Sequence, residues 1–226
     1  MNKTQTKFNT RTLVFMGLIC ALAYICMFVF RIKVSFLTFD LKNTILAIGA
    51  LIFGPVSGIV TSLVVSLLEM ITVSDTGFWG CLMNFVSSAL YVFIAAIIYK
   101  YNRTITGAVI ALSTASIAMT GAMIVMNLLI TPIYTGMPVS AVAQMIIPLL
   151  LPFNLIKAIL NSAITLLIYK PVRVLFKGSG IRVSDESHTA SKKTAAIMSI
   201  VAVLVIVLCV FTFFYFFNGS FELYKS

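Results

Sequence analysis

The chain has 226 residues, of which 61% are hydrophobic and 10% charged, with a mean hydropathy of +1.10. Soluble domains do not carry that balance, so the sequence describes an all-α polytopic membrane protein with almost no extramembrane domain. The net charge of +10 does not indicate nucleic acid, because the cations sit in short loops and tails beside apolar runs, where they orient the spans.

Lys3, Lys7 and Arg11 precede an apolar run from Leu13 to Phe30. Ala21-Leu22-Ala23 mimics a signal-peptide cleavage site, but the run is long enough to span, so an uncleaved first helix is expected. Gly17 and Ala21 form a small-xxx-small pair that serves either internal packing or a partner helix. Arg31 to Lys42 is a polar and aromatic loop. Asn43 to Val73 is apolar apart from Gly54-Pro55, and is either a hairpin of two helices or one kinked helix. The cations distribute equally in the two topologies; the hairpin is preferred because Gly-Pro is a turn signal and export of a tricationic N-terminus is unfavourable.

An outer loop, Asp75-Thr76-Gly77-Phe78-Trp79-Gly80, leads to a helix from Cys81 to Tyr99, and another follows from Gly107 to Ile130. The loop from Thr131-Pro132 to Pro148 carries no charge, which fits a segment that folds over a ligand. A helix then opens at Leu151-Pro152, where a proline lacking its N–H is tolerated, and runs to about Tyr169. The expected organisation is a six-helix substrate-binding membrane domain over 1–177, a polar cytoplasmic linker over 178–194, an extra span over 195–217 and a short tail over 218–226. The extra span has no polar stripe and reads as a lipid-facing addition.

Asn154, Lys157, Asn161 and Thr165 lie at steps of three, four and four, on one face of the helix from Leu151. A central cation costs roughly 2–3 kcal/mol to insert. Lys157 lies about 8 Å from the helix start, so it either snorkels to the headgroups or serves a pocket. On the pocket reading, removing it relieves a cost and leaves stability nearly unchanged. In the hairpin topology Glu69, Asn84, Asn127, Asn154 and Lys157 all fall in the outer third of the membrane, on four helices. That convergence marks a cavity open to the outside. Asn84 by itself reads as an interhelical hydrogen bond, and Glu69 either pairs with Lys157 or Lys42 or meets the ligand. Amides suit a neutral polyol or heterocycle, and one lysine suits carbonyl oxygens or a single anionic group. Phe36, Phe39, Phe78, Trp79, Phe85, Tyr91 and Phe153 are candidates for flat contacts to an aromatic ring.

Cys20, Cys26, Cys81 and Cys209 lie in or beside apolar runs without metal-ligand spacing and read as small core residues. His188 stands alone in the polar linker and receives no role. The sequence has no GxxxxGK[ST] phosphate loop and no nucleophile elbow, which argues against ATP hydrolysis and against an enzyme. A helical scaffold would not need Asn127, Asn154 and Lys157 at one depth.

Gly54-Pro55, Met126-Asn127 before Thr131-Pro132-Ile133-Tyr134, Pro152-Phe153-Asn154-Leu155-Ile156-Lys157 and Tyr169-Lys170-Pro171 resemble the S-components of energy-coupling-factor (ECF) transporters, most closely the riboflavin-binding kind. The resemblance covers about residues 11–176. It implies a six-helix subunit with both ends of that core in the cytoplasm, which favours the hairpin. It also implies capture of riboflavin from outside the bacterial cell membrane and passage inward by reorientation against a transmembrane coupling protein and two ATPase subunits. No cofactor is implied; riboflavin is cargo. The equivalents of Asn127, Asn154 and Lys157 would hydrogen-bond the flavin, and Gly17 and Ala21 would face the coupling protein, with glycine where alanine is usual. An S-component for another vitamin is the alternative. The seventh span departs from the pattern.

Overall fold

The computed structural model describes residues 10–178, 192–217 and 221–223. The expected linker falls largely on 179–191, which, with His188, lies outside the described residues, as do most of the tail and the N-terminal Lys3 and Lys7.

Helix α1 (Thr10–Val29) ends at a small β-hairpin, β1 (Ile32–Val34) and β2 (Leu37–Phe39). The expected loop is thus ordered, closed by a two-residue turn whose first residue, Ser35, has φ 56. Helices α2 (Lys42–Phe53) and α3 (Pro55–Thr72) break at Gly54, which has φ 99, a conformation open to glycine at little cost. The Lys42 ammonium at the start of α2 meets the Glu69 carboxylate near the end of α3, so the chain folds back on itself. A single kinked helix would hold those groups about 40 Å apart at 1.5 Å rise per residue. The hairpin topology is therefore the observed one.

Helix α4 (Gly77–Tyr101) packs on α3 and on α5 (Ile105–Thr135). Helix α5 continues past the expected end at Ile130 and carries Pro132 in its last turn; the stop is Gly136, in the left-handed region with φ 73. The segment expected as an uncharged loop contains the short α6 (Val139–Gln144) and a π-helical turn (Ile146–Leu150), which runs directly into α7 (Leu151–Gly178). Helix α8 (Lys192–Phe217) lies against α7, and a terminal strand β3 (Phe221–Leu223) pairs antiparallel with β1, giving a three-stranded sheet ordered β2-β1-β3. That sheet is the one departure from an all-α fold among the described residues.

Among the described residues, six helical segments are long and apolar enough to cross a membrane. Helix α2, with 12 residues, is not: at 1.5 Å rise it covers about 18 Å of a roughly 30 Å core. It is enclosed by α1, α3, α4 and α7 and nearly all of its residues are buried. Close packing is possible because Gly49 meets the Ile19 side chain and Gly58 meets Ala50 and Val92, where a Cβ would lie 2.9 and 2.7 Å from its nearest neighbour. The half-length of α2 leaves the outer part of the bundle centre unfilled by helix, and the β-hairpin occupies it. The hairpin, the α3–α4 connection and β3 all lie at one end of the bundle, which the positive-inside rule makes the outer one.

Candidate substrate-binding site

Two adjoining cavities lie beneath and beside the hairpin. The outer one, about 260 Å³, is lined by Arg31, Lys33, Glu69, Asp75 and Asn84 among others. The inner one, about 70 Å³, is lined by Asn84, Met123, Tyr134, Phe153, Asn154 and Lys157. Phe36, Leu37, Thr38, Thr76 and Asn84 border both, so the hairpin tip and the start of α4 form the wall between them.

Of the residues expected at the site, the structure brings Asn84, Asn154 and Lys157 onto one cavity, and Glu69 onto its neighbour. Asn154 spends its Nδ2 on the Leu150 carbonyl one turn back, at 2.8 Å. Asn84, read from sequence as an interhelical bond, makes no hydrogen bond to any described residue and is half-buried against both cavities. Asn127 is fully buried: its Nδ2 donates to the Met123 carbonyl at 2.7 Å and its Oδ1 accepts from the Thr131 hydroxyl at 3.0 Å. It sits one turn from the cavity-lining Met123 rather than on the wall itself. Of the expected aromatics, Phe36 and Phe153 line the inner cavity. Phe39 packs edge-on against Phe153 from behind, Phe78 is exposed, and Tyr91 is a buried core residue bonded to Ser162 at 2.7 Å.

Beneath the cavity lies a group of buried charges that sequence reasoning largely missed. Lys157 does not snorkel: its Nζ donates to Asp40 Oδ2 and to the Thr38 carbonyl, each at 2.9 Å. Lys42 lies 3.7 Å from the same Asp40 oxygen and pairs with Glu69. Asp40, Lys42 and Glu69 are at most 2% exposed and Lys157 6%. Within this group two cations balance two anions, which helps them stay charged away from water, and Arg31, also buried, is near enough to act on Lys42. Burial pushes the Asp40 carboxyl up, but Lys157 and Lys42 together outweigh it and hold it below the usual carboxylate range. At the mouth, the hydrogen bond from Lys33 does the same for Asp75. The expectation that removing Lys157 would relieve a cost is therefore corrected: it would strand Asp40.

Asn161, the third member of the stripe, is structural. Its Oδ1 accepts from the Thr44 amide at 2.8 Å and the Thr44 hydroxyl at 2.9 Å, capping the start of α2 from α7, while its Nδ2 donates to the Asp40 carbonyl at 3.2 Å. This cross-helix cap stands in for the side-chain cap that Leu41 cannot provide. Gly17 and Ala21 are both exposed on α1, and a Cβ at Gly17 would meet nothing, so this small-residue face is not used in internal packing. Cys20, Cys81 and Cys209 are buried and Cys26 half-buried, all as free thiols.

The extra span is also more than a lipid-facing addition. Most of α8 is exposed, but Cys209, Phe213 and Phe217 are buried with Val34, Leu37 and Phe39 of the hairpin and Phe153 of α7. One face of α8 thus backs the wall of the inner cavity. An apolar span without a polar stripe gave no sign of this in sequence.

Similarity to known proteins covers most of the chain, and its family match ends before α8. It is 27% identical over 173 residues to the riboflavin transporter FmnP of Bacillus subtilis, covering 71% of this chain and 91% of that protein. It is 29% identical over 174 residues to the riboflavin transporter RibU of Staphylococcus aureus, covering 72% and 90%. A solved S component of a bacterial ECF transporter superposes with a TM-score of 0.64 at 27% identity, covering 74% of this chain and 98% of that one. Residues 11–169 match the family described as ECF transporter, substrate-specific component, a family of transport subunits rather than enzymes. With six membrane-length helices and an outward cavity floored by paired charges, this multi-pass bacterial cell-membrane protein belongs to the substrate-specific components of ECF transporters.

Proposed function

We propose that the chain captures riboflavin from the outer side of the membrane and delivers it inward with an ECF coupling protein and its two ATPase subunits. The observation that carries this reading is the inner cavity, where Asn84, Asn154 and Lys157 meet the rings of Phe36 and Phe153. A flavin needs both kinds of contact: flat apolar surface for its ring system, and amide and ammonium donors for its carbonyl oxygens and ribityl hydroxyls. The riboflavin transporters among its relatives support the choice of ligand.

A ligand of that size needs roughly 300 Å³ or more of enclosed space. The inner cavity alone, about 70 Å³, is too small, whereas it and the outer cavity of about 260 Å³ together approach that size. Riboflavin would be admitted by displacement of the hairpin tip that separates them, and return of the tip would cover it. Lys157 would then share its ammonium between Asp40 and a flavin carbonyl, and Asn84 would gain the partner it lacks. Asn127, already satisfied within α5, would contribute by exchanging its bond with Thr131 for one to the ligand. The exposed Gly17–Ala21 face of α1 would allow close approach of the coupling protein.

Riboflavin titration of the purified protein tests the ligand: one-to-one quenching of flavin fluorescence is expected. Absence of binding at micromolar protein, with tight binding of another vitamin, would refute it. Uptake into sealed vesicles tests the energy source. The protein by itself should bind but not accumulate riboflavin, and accumulation without ATPases would refute the coupled mechanism.

A further inference from the structure

Helix α8 and strand β3 lie beyond residue 169, where the family match ends, yet they reach back to the substrate site. Four aromatic rings close a circuit there. Phe213 lies 4.7 Å from Phe39 and 5.2 Å from Phe217; Phe217 lies 6.1 Å from Phe153; and Phe153 lies 6.2 Å from Phe39. Two of these rings belong to the extension and two to the site: Phe153 lines the inner cavity, and Phe39 sits between Thr38 and Asp40, both partners of Lys157.

The second attachment is through the backbone. β3 pairs with β1 in the register Ile32–Leu223, Lys33–Glu222 and Val34–Phe221, so β1 becomes the central strand of the sheet. A two-stranded hairpin is marginal without support, and a third strand both satisfies its edge and ties it to whatever carries that strand. Here the carrier is α8, itself packed along α7. The hairpin whose tip walls the cavity is therefore held from α7 on one side and from the chain terminus on the other.

We propose that the C-terminal extension is a positioning element of the substrate site: α8 and β3 hold the hairpin over the cavity and slow release of bound substrate. Phe213 and Phe217 do not touch the substrate; they act through Phe153 and Phe39. The proposal rests on the substrate-capture reading above. Its consequence is that this subunit trades rapid exchange at the outer surface for long retention, beyond what the six-helix core provides.

The test uses the full-length protein in three versions. Glu222→Pro removes a backbone donor from β3, and Phe213→Ala opens the aromatic circuit. Phe211→Ala, at a position 68% exposed, is the control. Release of riboflavin, followed by recovery of its fluorescence after dilution, should quicken roughly tenfold in Glu222→Pro and in Phe213→Ala, the scale set by losing one or two net hydrogen bonds or one packed ring. It should be unchanged in Phe211→Ala. Glu222→Pro should keep the wild-type melting temperature, since the strand is peripheral to the bundle. In the ligand-free protein, amide hydrogen exchange at Lys33, whose N–H faces β3, should accelerate in Glu222→Pro. That arm needs no substrate, so a wild-type protein that fails to bind riboflavin would count against the proposed ligand, while the exchange result would still decide the strap. Wild-type exchange at β1, or wild-type release rates in both variants, would overturn the proposal.

Discussion

Replacing Lys157 by methionine separates the charge pairing seen in the structure from the ligand contact proposed for that side chain. Asp40 is fully buried and accepts from Lys157 Nζ at 2.9 Å and from the Lys42 backbone amide at 3.2 Å, with Lys42 Nζ 3.7 Å away. Without Lys157, two carboxylates, Asp40 and Glu69, are left to share Lys42, and the Thr38 carbonyl also loses its donor. Breaking a buried pair costs about 3–5 kcal/mol. Lys42 remains beside Asp40 but is shared with Glu69, so the lower end, about 3 kcal/mol, is expected. For a chain of this size that is a fall of roughly 6–12 °C in the melting temperature. Adding Asp40→Asn to Lys157→Met removes the stranded charge and should restore most of the loss, a coupling of at least about 1 kcal/mol in the double-mutant cycle. Riboflavin affinity should stay low in both variants, because the ligand has still lost its ammonium. Melting curves of ligand-free protein, paired with riboflavin titrations, give both numbers. Wild-type melting of Lys157→Met, or a double variant as unstable as the single one, would refute the charge-pair argument.

Four further outcomes follow from the same geometry. Asn84→Ala, which removes an amide bonded to no described residue, should weaken riboflavin binding by about 1–2 kcal/mol without lowering the melting temperature. Asn161→Ala should do the reverse, costing about 1–3 kcal/mol of stability through loss of the α2 cap while reducing affinity only indirectly; a drop in affinity with unchanged melting would contradict it. Because the folded Asp40 carboxyl is held below its ordinary value, its contribution to stability is fully present above the unfolded carboxyl pKa of about 3.9 and is lost only as pH falls through the lower folded value. Melting temperature against pH should therefore show no Asp40-dependent fall down to about pH 4, with Asp40→Asn as the reference curve. Gly17→Phe, on the exposed face of α1, should leave riboflavin titration unchanged and abolish uptake by the assembled transporter; unimpaired uptake would remove that face from the partner interface.

The spans and the hairpin at Gly54-Pro55 were legible because apolar run length and turn chemistry are local properties. The stripe on α7 was legible too, since a lysine and two asparagines on one membrane face demand an explanation. What each member does was not. Lys157 and Asn161 are defined by Asp40 and Thr44, more than a hundred residues earlier in the chain, and no local pattern records such a pairing. Asp40 was hidden for a simpler reason: it stands in a stretch with Arg31, Lys33 and Lys42, which reads as a solvated loop. Two features carried the opposite signal. Ile32, Val34 and Phe36, and after the turn Leu37, Phe39 and Leu41, alternate with polar residues, and a carboxylate two residues before an apolar helix start is placed to meet it. The pairing of β3 with β1 had no such signal, because it joins segments far apart in the chain and β3 has only three residues.

The short α2 accounts for why charges, amides and aromatics can share one place in the membrane. A full-length helix there would bring its own satisfied backbone through the outer half and leave no cavity. Twelve residues end at Lys42 instead, with the first turn's amides facing the hairpin. One of those amides is taken by Asp40 and another by Asn161, so the helix end is satisfied by the same residues that hold Lys157. Stability and the proposed binding thus draw on one network. Asp40 fixes the ammonium and Asn161 fixes the helix beneath it, while Asn84 and Asn154 keep polar atoms at the cavity wall. A membrane subunit that must hold a polar ligand and later let it go needs a site whose charges are already compensated without it. Otherwise the empty form would carry uncompensated charge in the bilayer, and each cycle would have to overcome several kcal/mol per ion on release.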